Sequence, residues 1–115
     1  MKQSDIIKLL RKEFGHHEVA VFTASAKNAA GILDCEIAYK GLSFWAEIKI
    51  DGDTLKPTQK RFIERHYLSS FCIHYYSKFK IYELHEFVTG EHDLIFEASC
   101  SSEYFSDILN HLKSI

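Results

Sequence analysis

Two alternating runs separated by Lys40–Gly41 constrain this 115-residue chain more than any other feature. In the first, Leu33, Cys35, Ile37 and Tyr39 alternate with Asp34, Glu36, Ala38 and Lys40. In the second, Phe44, Ala46, Ile48 and Ile50 alternate with Ser43, Trp45, Glu47 and Lys49. Period-two alternation marks a strand with two unlike faces. Two such runs joined by a tight lysine–glycine turn predict an antiparallel hairpin. Glu47 and Lys49 then share one face, and Ile48 points to the other. Asp51, Gly52 and Asp53 close the second strand with a turn.

The flanking segments supply the layers that cover this hairpin. Ser4 caps a helix over 4–14, with Ile6, Ile7, Leu9, Leu10 and Phe14 on one stripe and Gly15 as its terminator. Residues 19–24 read as a strand, and 25–31 as a small, polar loop leading to Asp34. Pro57 opens a helix reaching about 69 or 70, with Phe62, Ile63, His66 and Tyr67 facing inward. Strands follow over 71–76 and 80–85, with a turn over 77–79. Residues 88–93 read as a loop around Gly90, 93–98 as another strand, and 102–113 as a helix. Tyr104, Phe105, Ile108, Leu109 and Leu112 form that helix's apolar side. The order predicts one α/β domain, a central mixed β-sheet flanked by helices.

Composition removes several classes. The chain is 46% hydrophobic, enough for a substantial core. No run approaches the ~18 apolar residues of a membrane span, and the charged N-terminal stretch lacks an apolar signal region. A cytoplasmic protein with no membrane partner is expected. Cys35, Cys72 and Cys100 are odd in number and form no CxxC pair, which speaks against a zinc site or a disulfide scaffold. The adjacent His16 and His17 read as a solvated turn. Net charge is −2, which does not mark a nucleic-acid binder. Its distribution is uneven, however. Residues 56–80 carry six basic groups against Glu64, and 83–115 carry seven acidic groups against Lys113. Such a chain can present one positive face while remaining weakly acidic.

Asp34, Glu47 and Lys49 converge near a strand end. Mg²⁺ and Mn²⁺ take oxygen ligands, and the two carboxylates with the Ile48 carbonyl supply three. Lys49 would hold the attacking water and face the phosphate, with Gln59 orienting either from the next helix. Each residue also has a plainer role. Glu-x-Lys serves equally as a solvated strand face with a cross-strand ion pair. Asp5 suits the first turn of any helix. Lys27 and Asn28 contact a phosphate or simply turn the chain. Lys56, Lys60, Arg61 and Arg65 form a backbone track or a solvated helix face. Trp45 stacks on a base or packs beneath a helix.

Gly31-Ile32-Leu33-Asp34, Phe44-Trp45-Ala46-Glu47-Ile48-Lys49, Thr54-Leu55-Lys56-Pro57-Thr58-Gln59 and Phe62-Ile63 together resemble the PD-(D/E)XK nuclease superfamily. The small VRR-NUC and Holliday-junction-resolvase-like domains are the nearest branch. The resemblance runs from about Ser4 to Tyr76. It implies a restriction-endonuclease-like core and a Mg²⁺- or Mn²⁺-dependent DNA endonuclease of repair or recombination, selective for junctions or branches and working as a homodimer. Asp34 and Glu47 match the metal-binding acids, Lys49 the catalytic lysine, and Gln59 the helix glutamine. Leu33 stands where the family has proline. Asp5, with Glu13 as second choice, is nearest to the family's first-helix glutamate. Two other classes compete: a non-catalytic DNA- or protein-binding module on the same fold, and an unrelated α/β structural domain.

Overall fold

A computed structural model describes residues 1–22, 33–66, 69–88, 91–99 and 101–113. In chain order the elements are α1 (Gln3–Phe14), a 3₁₀ turn (His16–Glu18), β1 (Val19–Val21), β2 (Cys35–Tyr39), β3 (Leu42–Ile50), α2 (Pro57–His66), β4 (Ser70–Tyr76), β5 (Ile81–Val88), β6 (Glu91–Ala98) and α3 (Ser101–Lys113). The six strands form one sheet in the order β1-β2-β3-β4-β5-β6. Every neighbouring pair is antiparallel except β3 and β4. A parallel pair needs a long crossover, and α2 provides it. The chain is thus a single α/β domain with a mixed sheet flanked by helices.

The hairpin forms as its alternation requires. Tyr39 pairs with Leu42 across the turn. Lys40 and Gly41 both take positive φ, 50° and 78°, the twist that a two-residue hairpin turn demands. Cys35, Ile37, Phe44, Ala46 and Ile48 pack on one face with Phe71, Ile73, Tyr75, Tyr82 and Leu84. Ile6, Ile7 and Leu10 of α1 and Tyr104, Phe105, Ile108 and Leu112 of α3 cover that face. The opposite face is covered by α2, whose Phe62 and Ile63 pack on Leu33, Cys72, Trp45 and Leu55. Trp45 lies edge-on to Phe62 at 5.0 Å, the packing role anticipated for it.

Helix α2, expected to reach 69 or 70, is described to His66, and Ser70 already belongs to β4, its hydroxyl donating to the His66 carbonyl at 2.7 Å. Three further local expectations change. Helix α1 begins at Gln3 with Lys2 as its N-cap, and Asp5 accepts the Lys2 N–H at 2.9 Å. A carboxylate at the third helical position satisfies that donor, so Ser4 is not needed as the cap. The loop expected over 88–93 gives way to strand at both of its ends. Val88 belongs to β5 and pairs with Glu91 of β6, leaving two residues between the strands. A polar sequence points to a loop, but β6 is an edge strand, where polar residues are tolerated. Strand β1 ends at Val21 among the described residues.

Asp51 clamps the ends of the parallel strands. It takes φ 53°, and its N–H donates to the Tyr75 carbonyl at 2.8 Å. Its carboxylate accepts the Ser77 N–H at 2.7 Å and the Ser77 hydroxyl at 2.8 Å. Its carbonyl accepts a hydrogen bond from His74 Nε2 at 2.5 Å. The backbone and side-chain bonds from Ser77 hold the Asp51 carboxyl below its ordinary value of 3.8. A carboxyl depressed by folding contributes stability above the unfolded pKa and loses it as pH falls through the folded one. Urea melts of parent and Asp51→Asn should therefore differ at neutral pH and converge below about pH 3.8, with the parent the more stable. Asparagine tolerates the positive φ but has one acceptor oxygen and no charge, where the aspartate uses Oδ1 and Oδ2 for the two bonds.

Candidate active site

Strand β3 has nine residues and β2 only five. Their pairing stops at Cys35–Ala46, so β3 runs on beyond its partner. Ile48 lies two residues further, and its N–H and carbonyl point into the gap that β2 has left. Both must be satisfied because the residue is fully buried. Asp34 Oδ2 accepts the Ile48 N–H at 2.7 Å. Gln3 Nε2 donates to the Ile48 carbonyl at 3.0 Å. The fork between β2 and β3 therefore holds a carboxylate, a backbone carbonyl and an amide side chain from α1.

Glu47 and Lys49 flank Ile48 and pair through their backbones with Cys72 and His74 of β4. Their side chains rise on the α2 side of the sheet, with the Lys49 Nζ 4.0 Å from Glu47 Oε2. Asp34, Glu47 and Lys49 are 5%, 1% and 9% exposed. Charged side chains are seldom this buried unless they are paired or functional. Burial thus rules out a solvated strand face for Glu47 and Lys49. Burial, and then the Glu47 charge, push the neighbouring Cys72 thiol up to about 12. Cys72 is consequently a packing residue with no thiolate to offer.

Asp34, Ile48 and the Glu47–Lys49 pair meet at the fork. Asp5 is committed to the start of α1 through Lys2. Among the described residues, no three His, Cys, Asp or Glu side chains gather as a metal-holding group. Asp34 and Glu47 are the acidic pair that the described residues bring to the fork. Gln59 turns inward, but its Oε1 accepts the Lys56 N–H at 2.9 Å and caps α2. Lys56, Lys60, Arg61 and Arg65 are exposed on α2 and at its start. Lys27 and Asn28, with Gly31 and Ile32, lie outside the described residues.

Two residues carry no mark of their place in the sequence. Nothing local singles out Gln3, because its role depends on how α1 crosses the fork. His74 enters because β3 and β4 pair in parallel with Lys49 opposite it. Alternation along 71–76 puts Cys72, His74 and Tyr76 on one face, but only the register puts that face beside Lys49.

No protein-family model matches the chain, and neither curated proteins nor solved structures returned a match. The chemistry of the site follows from its geometry. Two carboxylates and a carbonyl suit a hard divalent cation, and a lysine beside them suits an anionic substrate. No helix among the described residues is long and apolar enough to cross a membrane.

Proposed function

We propose that this protein is a Mg²⁺- or Mn²⁺-dependent deoxyribonuclease that hydrolyses phosphodiester bonds at the β2–β3 fork. The observation that carries this is the burial of Asp34, Glu47 and Lys49 around the stretch of β3 that runs on beyond β2. Buried charges cost stability, and they are concentrated at functional sites. The element order, helix–three strands–helix–strand with one parallel pair, also fits a restriction-endonuclease-like core.

Asp34, Glu47 and the Ile48 carbonyl would hold the ion. When bound, it supplies charge neutralisation at the phosphate. The Lys49 Nζ, 4.0 Å from Glu47 Oε2, would face the phosphate oxygens and the attacking water. Asp34 fixes the Ile48 backbone, so one residue both shapes the fork and contributes a ligand. The Gln3 amide donates to the Ile48 carbonyl, and an ion there would take that oxygen in its place.

That last hydrogen bond favours a second interpretation. Ile48 is satisfied on both sides without an ion, by Asp34 and by Gln3. A fork closed on itself suits a non-catalytic binding module. Incubation of the protein with forked, nicked and four-way-junction DNA separates the two. The nuclease cuts with Mg²⁺ or Mn²⁺ and stops with EDTA. A protein that binds DNA but cuts nothing with either ion is the module.

The exposed side of α2 carries Lys60, Arg61 and Arg65, with Lys56 just before it, and faces the DNA backbone in this proposal. Such phosphate-directed residues position a duplex without reading its bases. Arg61→Glu with Arg65→Glu should weaken duplex and junction binding alike. The log–log salt slope should become shallower by about 0.9 for each phosphate no longer neutralised. Unchanged affinity would move the DNA surface elsewhere. The proposal includes a homodimer. β6 is an edge strand with Leu94 and Ile95 exposed, a surface that a second copy can cover. Light scattering at micromolar concentration should give twice the 13.4 kDa chain mass, and a monomer throughout would remove the dimer.

A further inference from the structure

Beyond Lys49 the α2 face of the sheet opens into a cleft of about 370 Å³, lined by Lys49, Leu55, Lys60, His74, Tyr76 and His85. Known small-ligand pockets run from about 300 to 1,000 Å³, so this one holds a single small molecule and no duplex. Its chemistry is organised. His74 and Tyr76 stack nearly parallel, 4.2 Å between centroids and 10° between planes. The Asp51 carbonyl holds His74 in place through Nε2, which leaves Nδ1 toward the Tyr76 hydroxyl at 3.4 Å. His85 is fixed by Glu83, its Nε2 3.0 Å from the carboxylate. Lys49 and Lys60 bring positive charge from the β3 side and from α2. Leu55 and Cys72 add apolar wall, and Thr54 with Asp53, whose carboxylate accepts the Ile50 N–H, completes the lining. Aromatic rings with fixed imidazoles suit a planar heterocycle, and lysines suit a phosphate.

We infer that this cleft seats one unpaired nucleotide, its base beside the His74–Tyr76 pair and its phosphate toward Lys49 and Lys60. The nucleotide is the residue flanking the scissile phosphate, because Lys49 belongs both to the fork and to the cleft. The preferred substrate is then DNA with a frayed end, a flap or a branch point, where a base is free to leave the stack. This substrate class rests on the nuclease proposal, whereas nucleotide binding in the cleft does not.

Nuclear magnetic resonance of the isotopically labelled full chain provides the binding arm, with thymidine monophosphate and, separately, inorganic phosphate as probes. Thymidine monophosphate should shift the ring signals of His74, Tyr76 and His85. Inorganic phosphate should move only the lysine signals. Tyr76→Ala should weaken thymidine monophosphate about tenfold, the scale of one base–aromatic stack. Lys60→Ala, an exposed position that leaves folding intact, should weaken both probes. The cleavage arm compares a flush duplex with one carrying a three-nucleotide single-stranded tail, in Mn²⁺. The parent should prefer the tailed duplex about tenfold, and both variants should lose that preference. Cleavage without ring shifts or tail preference would overturn the cleft while leaving the nuclease standing. Ring shifts with no cleavage of any DNA would keep the nucleotide site and overturn the nuclease.

Discussion

Glu47→Gln should still fold, less stably than the parent because it takes the carboxylate from beside the buried Lys49, and it should bind Mn²⁺ at least about 100-fold more weakly and show no measurable DNA cleavage. Removing the groups that merely orient a metal's ligands costs a site about 10- to 100-fold, and Glu47 would be a direct ligand. Glutamine keeps the size and removes the charge that holds a hard cation. Asp34→Asn should behave similarly, since its amide oxygen still accepts the Ile48 N–H that Asp34 holds now. Lys49→Ala should differ in kind. The oxygen ligands remain, so Mn²⁺ still binds, but turnover falls because the group facing the phosphate is gone. It should also melt earlier without metal. Glu47 is 1% exposed, and taking away the cation beside it weakens the compensation of a buried carboxylate. Added Mn²⁺ should restore much of that stability by binding only the folded protein. Calorimetric titration with Mn²⁺, melts with and without the ion, and a cleavage time course distinguish the three variants. A Glu47→Gln protein that binds Mn²⁺ and cuts like the parent would remove Glu47 from the site.

Tyr104→Ala should be the most destabilising single change in the core. Tyr104 is fully buried and stacks on Tyr82 at 4.9 Å, with edge-on packing against Phe105 and Phe96. Its hydroxyl donates to the Glu83 carbonyl at 2.6 Å. Truncating a buried aromatic costs about 3–5 kcal/mol, a large share of the roughly 5–15 kcal/mol a domain has. Tm should fall by roughly 15–20 °C. Tyr104→Phe keeps the ring and should cost about 1–2 kcal/mol. The two variants separate packing from the hydrogen bond in one pair of melts. Burial also raises the Tyr104 phenol well above its ordinary value of 10.0. The unfolded chain ionises first, so the parent should lose stability as pH rises past about 10, and Tyr104→Phe should lose less. Equal pH profiles for the two would place the alkaline sensitivity elsewhere.

The parts of the fold that local chemistry controls are legible in the chain. Alternation about Lys40–Gly41 locates β2 and β3 and puts Glu47 and Lys49 together. Pro57 marks the start of α2, and the stripe from Tyr104 to Leu112 marks the buried side of α3. Tyr75 and Tyr76 divide as alternation requires, one in the core and the other beside the cleft. What escapes depends on distant pairing. Edge strand β6 carries polar residues that resemble a loop, because a strand with one free edge needs no continuous apolar pattern. Gln3 and Ile48 are 45 residues apart and meet only when α1 crosses the fork. His74 joins Lys49 through a parallel register that no local signal encodes. Gln59 reads from its spacing as a fork residue, yet the half-turn it helps close at Lys56 takes its oxygen.

A divalent-cation site at the fork between β2 and β3 is tested most directly by anomalous diffraction from a crystal grown with Mn²⁺. One anomalous peak is expected between the Asp34 and Glu47 carboxylates, within ligand distance of the Ile48 carbonyl, with the Gln3 amide displaced from that oxygen. A crystal saturated with Mn²⁺ that shows no peak at the fork, with Gln3 still bonded to Ile48, would contradict it.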